Sequence, residues 1–142
     1  MFEKNYCHDL HYGSDSVPAT IKSYKYYYQS FLLGVSYTQN VDYGDKKAVN
    51  KNNYGVKMYR KVAAMIGQYY PEKVTEFADL IESPDQDLRV ACAVCILSLM
   101  NTDTVCKERA LKLIQEMAYC GSSFEKLVWT KWLNDHGYVK ND

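Results

Sequence analysis

Residues 83–100, SPDQDLRVACAVCILSLM, restrict the fold more than any other stretch of the chain. From Leu88 to Met100 the residues are apolar nearly throughout, with Arg89 and Ser98 the departures. A helix apolar around almost its whole circumference must be covered on several sides, so this segment predicts a central helix with others stacked about it. Its start is marked too. Ser83-Pro84-Asp85-Gln86 predicts a hydroxyl at the N-cap, proline at the first helical position and glutamine at the third, a capping box that satisfies two backbone donors.

The remaining prolines, Pro18 and Pro71, also stand where helices can begin. Helical spacing of Ile21, Tyr24, Tyr28, Phe31, Leu32 and Val35 predicts a first helix from about residue 19, ending before the turn Tyr43-Gly44-Asp45. A second helix is expected from about Lys46 to Gln68, with Val56, Tyr59, Ala63 and Ile66 on one face, and a shorter third from Pro71 with Val74, Phe77, Ala78 and Ile81. Asn101-Thr102-Asp103-Thr104 caps a fifth helix that Gly121 closes. Ser122-Ser123-Phe124-Glu125 is a second capping box, opening a sixth helix with Leu127, Val128, Trp132 and Leu133 that stops near Gly137. Strand signals are scarce. The expected fold is all-α, about six helices packed as antiparallel hairpins over residues 19–142, with residues 1–18 as an N-terminal arm lacking a clear period.

At 142 residues the chain fits one domain and buries enough surface to fold without a metal or disulfide. Seventeen basic residues balance seventeen acidic ones, so no global field gathers nucleic acid or an anionic membrane. The first residues lack the apolar segment of a signal peptide and no stretch is long enough to span a bilayer, which makes a cytoplasmic location the expectation. Five irregularly placed cysteines suit a reducing compartment better than a disulfide framework. Fourteen tyrosines exceed what a core usually needs and hint at a binding surface.

Cys92-Ala-Val-Cys95 raises the question of metal or redox chemistry. A redox CxxC draws its reactivity from a helix N-terminus or a nearby cation, whereas these thiols lie two turns or more inside an apolar helix. Zinc would need two further ligands, for which Cys7, His8 and His11 in the arm are the candidates. Burial as small apolar side chains explains Cys92 and Cys95 without any cofactor, and none is expected. Glu72, Glu76 and Asp79 read as a solvated helix face, and His136 as a C-terminal charge. No phosphate loop or nucleophile elbow occurs, and catalysis is not expected.

Asp85-x-Asp87-Leu88-Arg89-Val90-x-Cys92-Ala93-x-Cys95-Ile96-Leu97 resembles the signature of HEAT-type helical repeats, with an acidic turn, an arginine and a helix rich in small residues. Together with Gly44-Asp45-Lys46-Lys47 and with Trp132-Leu133 before a terminal glycine, it is similar to a bacterial family of HEAT-like domains of unknown function. Members of that family resemble immunity proteins of toxin systems. The resemblance covers about residues 30 to 137 and implies an α-α superhelix that binds a protein, with no catalytic residue.

Charge patterning indicates where such a partner would sit. Lys46, Lys47, Lys51, Lys57, Arg60 and Lys61 form a run without an acidic residue, while residues 72–87 are almost purely acidic. Tyr26, Leu33 and Tyr37 fall opposite the core stripe of the first helix, and Tyr54, Met58, Met65 and Tyr69 opposite that of the second. These second stripes are either covered by neighbouring helices or exposed as an aromatic, cationic contact surface. The second reading makes Tyr26, Tyr37, Tyr54, Lys57, Met58, Lys61 and Tyr69 partner-binding residues, the partner being a protein and in the resemblance's terms a toxin. Nucleic-acid binding, as in some HEAT-like proteins, is the alternative, opposed by zero net charge; self-association through the same stripes is another.

Overall fold

The computed structural model describes residues 20–138, which form six α-helices with no strand among them. They are α1 (Tyr24–Ser36), α2 (Lys46–Tyr69), α3 (Val74–Phe77), α4 (Gln86–Leu99), α5 (Thr104–Cys120) and α6 (Ser123–Asp135). The arm expected over residues 1–18, including Cys7, His8, His11 and Pro18, lies outside the described residues.

Local chemistry sets most helix ends. Ser23 caps α1 by accepting from the Tyr26 amide at 3.1 Å, so the helix starts later than its apolar spacing predicts and Ile21 stands outside it, half exposed. Asp45 caps α2 through the Lys47 amide at 3.0 Å. Pro71 follows α2 and lacks the amide that would continue it, and the chain tightens into a 3-10 turn, Pro71–Lys73. The expected third helix is in fact composite, with α3 flanked by that turn and a second 3-10 segment, Ala78–Glu82.

The start of α4 differs from the expected capping box. Asp85, not Ser83, is the N-cap: its carboxylate accepts from the Asp87 and Leu88 amides at 3.0 and 3.4 Å. Ser83 instead accepts from the Asp85 amide at 3.1 Å, and Pro84 lies before the helix. Two overlapping cap signals compete in this stretch, and the charged acceptor nearer the helix prevails. At α6 the expected box forms in full: Ser122 Oγ accepts from the Glu125 amide at 3.2 Å, and Glu125 Oε1 from the Ser122 amide at 2.9 Å. The helix closes on Gly137, whose φ of 81° is left-handed. The Tyr138 amide donates to Leu133 O at 2.7 Å and the Gly137 amide to Asn134 O at 3.2 Å, the paired bonds of a Schellman cap.

α1 and α2 form an antiparallel hairpin: Tyr27 meets Tyr70, Phe31 meets Tyr59, and Tyr37 meets Tyr54 as the chain runs up one helix and down the other. α5 and α6 form another, in which Thr130 Oγ1 donates to Ala118 O at 3.5 Å. α4 packs against α1, α2, α5 and the Ala78–Glu82 turn, as its apolar circumference requires. Ala91, Cys92, Ala93, Cys95 and Ile96 are all buried, covering its several sides. Within the core Phe31 and Phe77 pack edge-to-face at 4.8 Å, and Val62, Ile66 and Ile114 are fully buried in the same cluster.

Candidate functional site

The paired thiols are sealed in this core. Cys92 and Cys95 are fully buried, and the Cys92 thiol donates to Phe77 O at 3.5 Å. Burial raises the Cys92 thiol well above its ordinary value, reinforced by Cys95, and pushes Cys95 up to about 12 against the opposing influence of Arg60. Neither is a thiolate near neutral pH, so the pair lacks the nucleophile that redox exchange requires. Among the described residues no three His, Cys, Asp or Glu side chains cluster as metal ligands.

The acidic run is solvated, as expected. Glu72, Glu76 and Asp79 are exposed, and Arg109 reaches across to Asp79 and Glu82, with 3.5 Å to each. No helix of the described residues is long and apolar enough to cross a membrane.

The proposed contact surface on α1 and α2 is largely occupied by the protein's own packing. Met58 is 2% exposed and Met65 is buried as well, which removes Met58 from any contact surface. The reason is that α2 is covered from two directions, by α1 and by α4, so its second stripe also faces protein. Tyr26, Tyr37, Tyr54 and Tyr69 are half-buried against the core. Tyr37 and Tyr54 lie 6.4 Å apart, and the Lys51 ammonium sits 4.7 Å above the Tyr37 ring. Lys57 is exposed and Lys61 half-buried.

Exposed apolar surface concentrates elsewhere. α6 buries Leu133 but leaves Phe124 74% and Leu127 72% exposed, with Val128 beside them at the edge of exposure. The positions i, i+3 and i+4 place these three on one stripe. Leu127 and Val128, two of the apolar residues that mark the sixth helix in the sequence, face outward, because α6 ends the described array and has α5 as its principal neighbour.

Beside this stripe a cleft of about 410 Å³ opens between α4 and α6. Tyr59, Val90, Val94, Met117, Trp129 and Trp132 line it, and Phe124 stands at its edge. Asp87 and Glu125 contribute carboxylates, and Gln86 Nε2 donates to Glu125 Oε2 at 2.9 Å, tying the two helix starts together. The Glu125 carboxyl is held below its usual range by the Ser122 amide and then by Gln86. Trp132 is positioned by His136, whose ring stacks on it at 4.0 Å while His136 Nδ1 and Trp132 O lie 2.8 Å apart. Asp87, Phe124, Glu125 and Trp129 belong to none of the sites expected from the sequence. The signal that could have found them is the pair Trp129 and Trp132 three positions apart on a short helix, more aromatic surface than one helix face can bury.

The described residues thus form an all-α fold of six helices around a closed apolar core. Comparisons with protein-family models, curated proteins and solved structures found no match.

Proposed function

We propose that the chain is a noncatalytic helical module that binds another protein, its hairpins stacked in the HEAT-like manner that residues 83–97 resemble. The observation that carries this reading is the outward stripe of α6, where Phe124 and Leu127 keep about three quarters of their surface in contact with water. Solvating a contiguous apolar stripe is unfavourable, and covering it with a partner's apolar surface removes that penalty. Burial of the thiols supports a role performed by surface rather than by chemistry. The specific form suggested by the resemblance is a toxin-masking protein, acting by steric occlusion. Its contact surface lies on the α4 and α6 side, and exposed Lys57 on α2 is not among the residues lining the cleft there.

The test is affinity capture with wild type, Leu127→Asp and Lys57→Glu compared side by side. A protein retained at one-to-one stoichiometry by wild type, lost with Leu127→Asp and kept with Lys57→Glu, supports the reading. Retention unchanged by Leu127→Asp overturns the α6 surface, and failure to retain any protein overturns the module. The same stripe would suit a second copy of the chain, an outcome that light scattering reads as a doubled mass lost in Leu127→Asp.

A further inference from the structure

We infer that the cleft between α4 and α6 receives a cationic side chain of the partner protein, an arginine or lysine flanked by apolar residues. The inference rests on the protein-binding reading above and narrows it to one recess and one chemistry. At about 410 Å³ the recess is of a size to enclose an anchoring side chain rather than a whole helix. Its aromatic and aliphatic walls favour an occupant that buries carbon. Its charged lining residues, Asp87 and Glu125, are both acidic, and none is basic.

These two facts select the occupant. A purely apolar group seated here would dehydrate the two carboxylates without supplying a hydrogen bond to either, an unfavourable exchange. An arginine or lysine does both tasks, laying its alkyl stem on the walls while its charged head meets the acidic rim. The indole of Trp129 adds an aromatic surface for the same head, while Trp132, stacked on His136, contributes apolar wall.

The rim is also held in place without being neutralised. Glu125 accepts from the Ser122 amide and from Gln86, each at 2.9 Å, and Asp87 Oδ2 accepts from Gln39 Nε2 at 3.3 Å. Gln39 bonds Asp85 as well, at 2.8 and 3.1 Å, which brings a third carboxylate to the same end. All of these donors are uncharged. Among the described residues neither Asp87 nor Glu125 pairs with a lysine or arginine, in contrast to Asp79 and Glu82, which already share Arg109. The carboxylates beside the two tryptophans thus keep their charge for an incoming cation.

The chain contains two tryptophans and both line the recess, so intrinsic fluorescence reports on this site without a label. The probes are three blocked tripeptides, N-acetyl-Leu-Arg-Leu-amide and its Gln and Glu counterparts, titrated into the full chain. The arginine peptide is expected to give a saturable change in emission, with the glutamine peptide at least about tenfold weaker and the glutamate peptide silent. The double variant Asp87→Asn with Glu125→Gln should weaken the arginine peptide by about tenfold or more. Glutamine serves at the third position of a capping box, so α6 is retained, which circular dichroism verifies. Equal binding of the arginine and glutamine peptides, or no loss in the double variant, overturns the cation assignment. No response to any peptide overturns the recess as a docking site. Affinity capture with Leu127→Asp judges the module separately, so a retained partner alongside a silent recess removes this inference and leaves the module standing.

Discussion

The Gly34 carbonyl oxygen lies only 2.5 Å from where a Cβ on Gly55 would stand, so the α1–α2 hairpin crosses where neither helix has a side chain. Tyr37 Cβ would be 2.6 Å from the same added atom. Two backbones can approach this closely only through glycine, and that approach lets Tyr37 and Tyr54 meet beside it.

Gly55→Ala should therefore destabilise the protein by up to about 2 kcal/mol, an overpacking cost of about 1–3 kcal/mol less the roughly 1 kcal/mol that alanine gains in helix propensity. Gly67→Ala is the control. Its nearest obstacle is the Met100 side chain, with Cγ at 3.0 Å, a flexible group able to yield, so chemical denaturation should place this variant near or above wild type.

Thiol reactivity should divide by burial. In a Cys7→Ser background, native protein is expected to react rapidly at exposed Cys120, while Cys92, Cys95 and Cys106 react on unfolding. Rapid labelling of Cys92 or Cys95 in the folded state would contradict their place in the core. Cys95→Ala should cost on the order of 1 kcal/mol and leave partner binding intact.

Acid should act on the helix caps. The Asp103 carboxyl is held below its ordinary 3.8 by the Cys106 amide, and Glu125 below its ordinary 4.5 by the Ser122 amide. A carboxyl whose folded value is depressed binds its proton more readily in the unfolded chain, so its stabilisation is complete above the unfolded value. That stabilisation is lost as the pH falls through the folded one. Thermal melts should be flat in this respect down to about pH 5 and fall below it. The slope between about pH 5 and 3 should be shallower in Asp103→Asn and in Glu125→Gln, which lack the titrating group.

The two faces of α6 should respond oppositely to substitution. Leu133, 1% exposed, is expected to cost about 2–5 kcal/mol when changed to alanine. Leu127→Asp should alter folding by no more than about 0.5 kcal/mol, read by chemical denaturation, while improving solubility.

Much of the architecture is written in local chemistry. The helix number, the full capping box of Ser122 and Glu125 and the stop at Gly137 follow from interactions within a few residues of each other, and these a linear reading can see. Where two local signals overlap, as Ser83 and Asp85 do, the reading misplaces the boundary by two residues, since geometry decides which acceptor reaches the free amides. Burial of Met58 and exposure of Leu127 are decided by different means. Both sit on apolar stripes of similar quality, and what separates them is that α2 lies between α1 and α4 whereas α6 stands at the end of the described array. The cleft is less legible still, for it brings Tyr59, Asp87, Met117 and Trp129 together from four helices. The sequence alone therefore determined which segments are helical and where three of them, α2, α5 and α6, start. Which faces meet water, and which distant carboxylates and tryptophans share a recess, only tertiary packing decided, because exposure belongs to a side chain's neighbours in space rather than to the side chain itself.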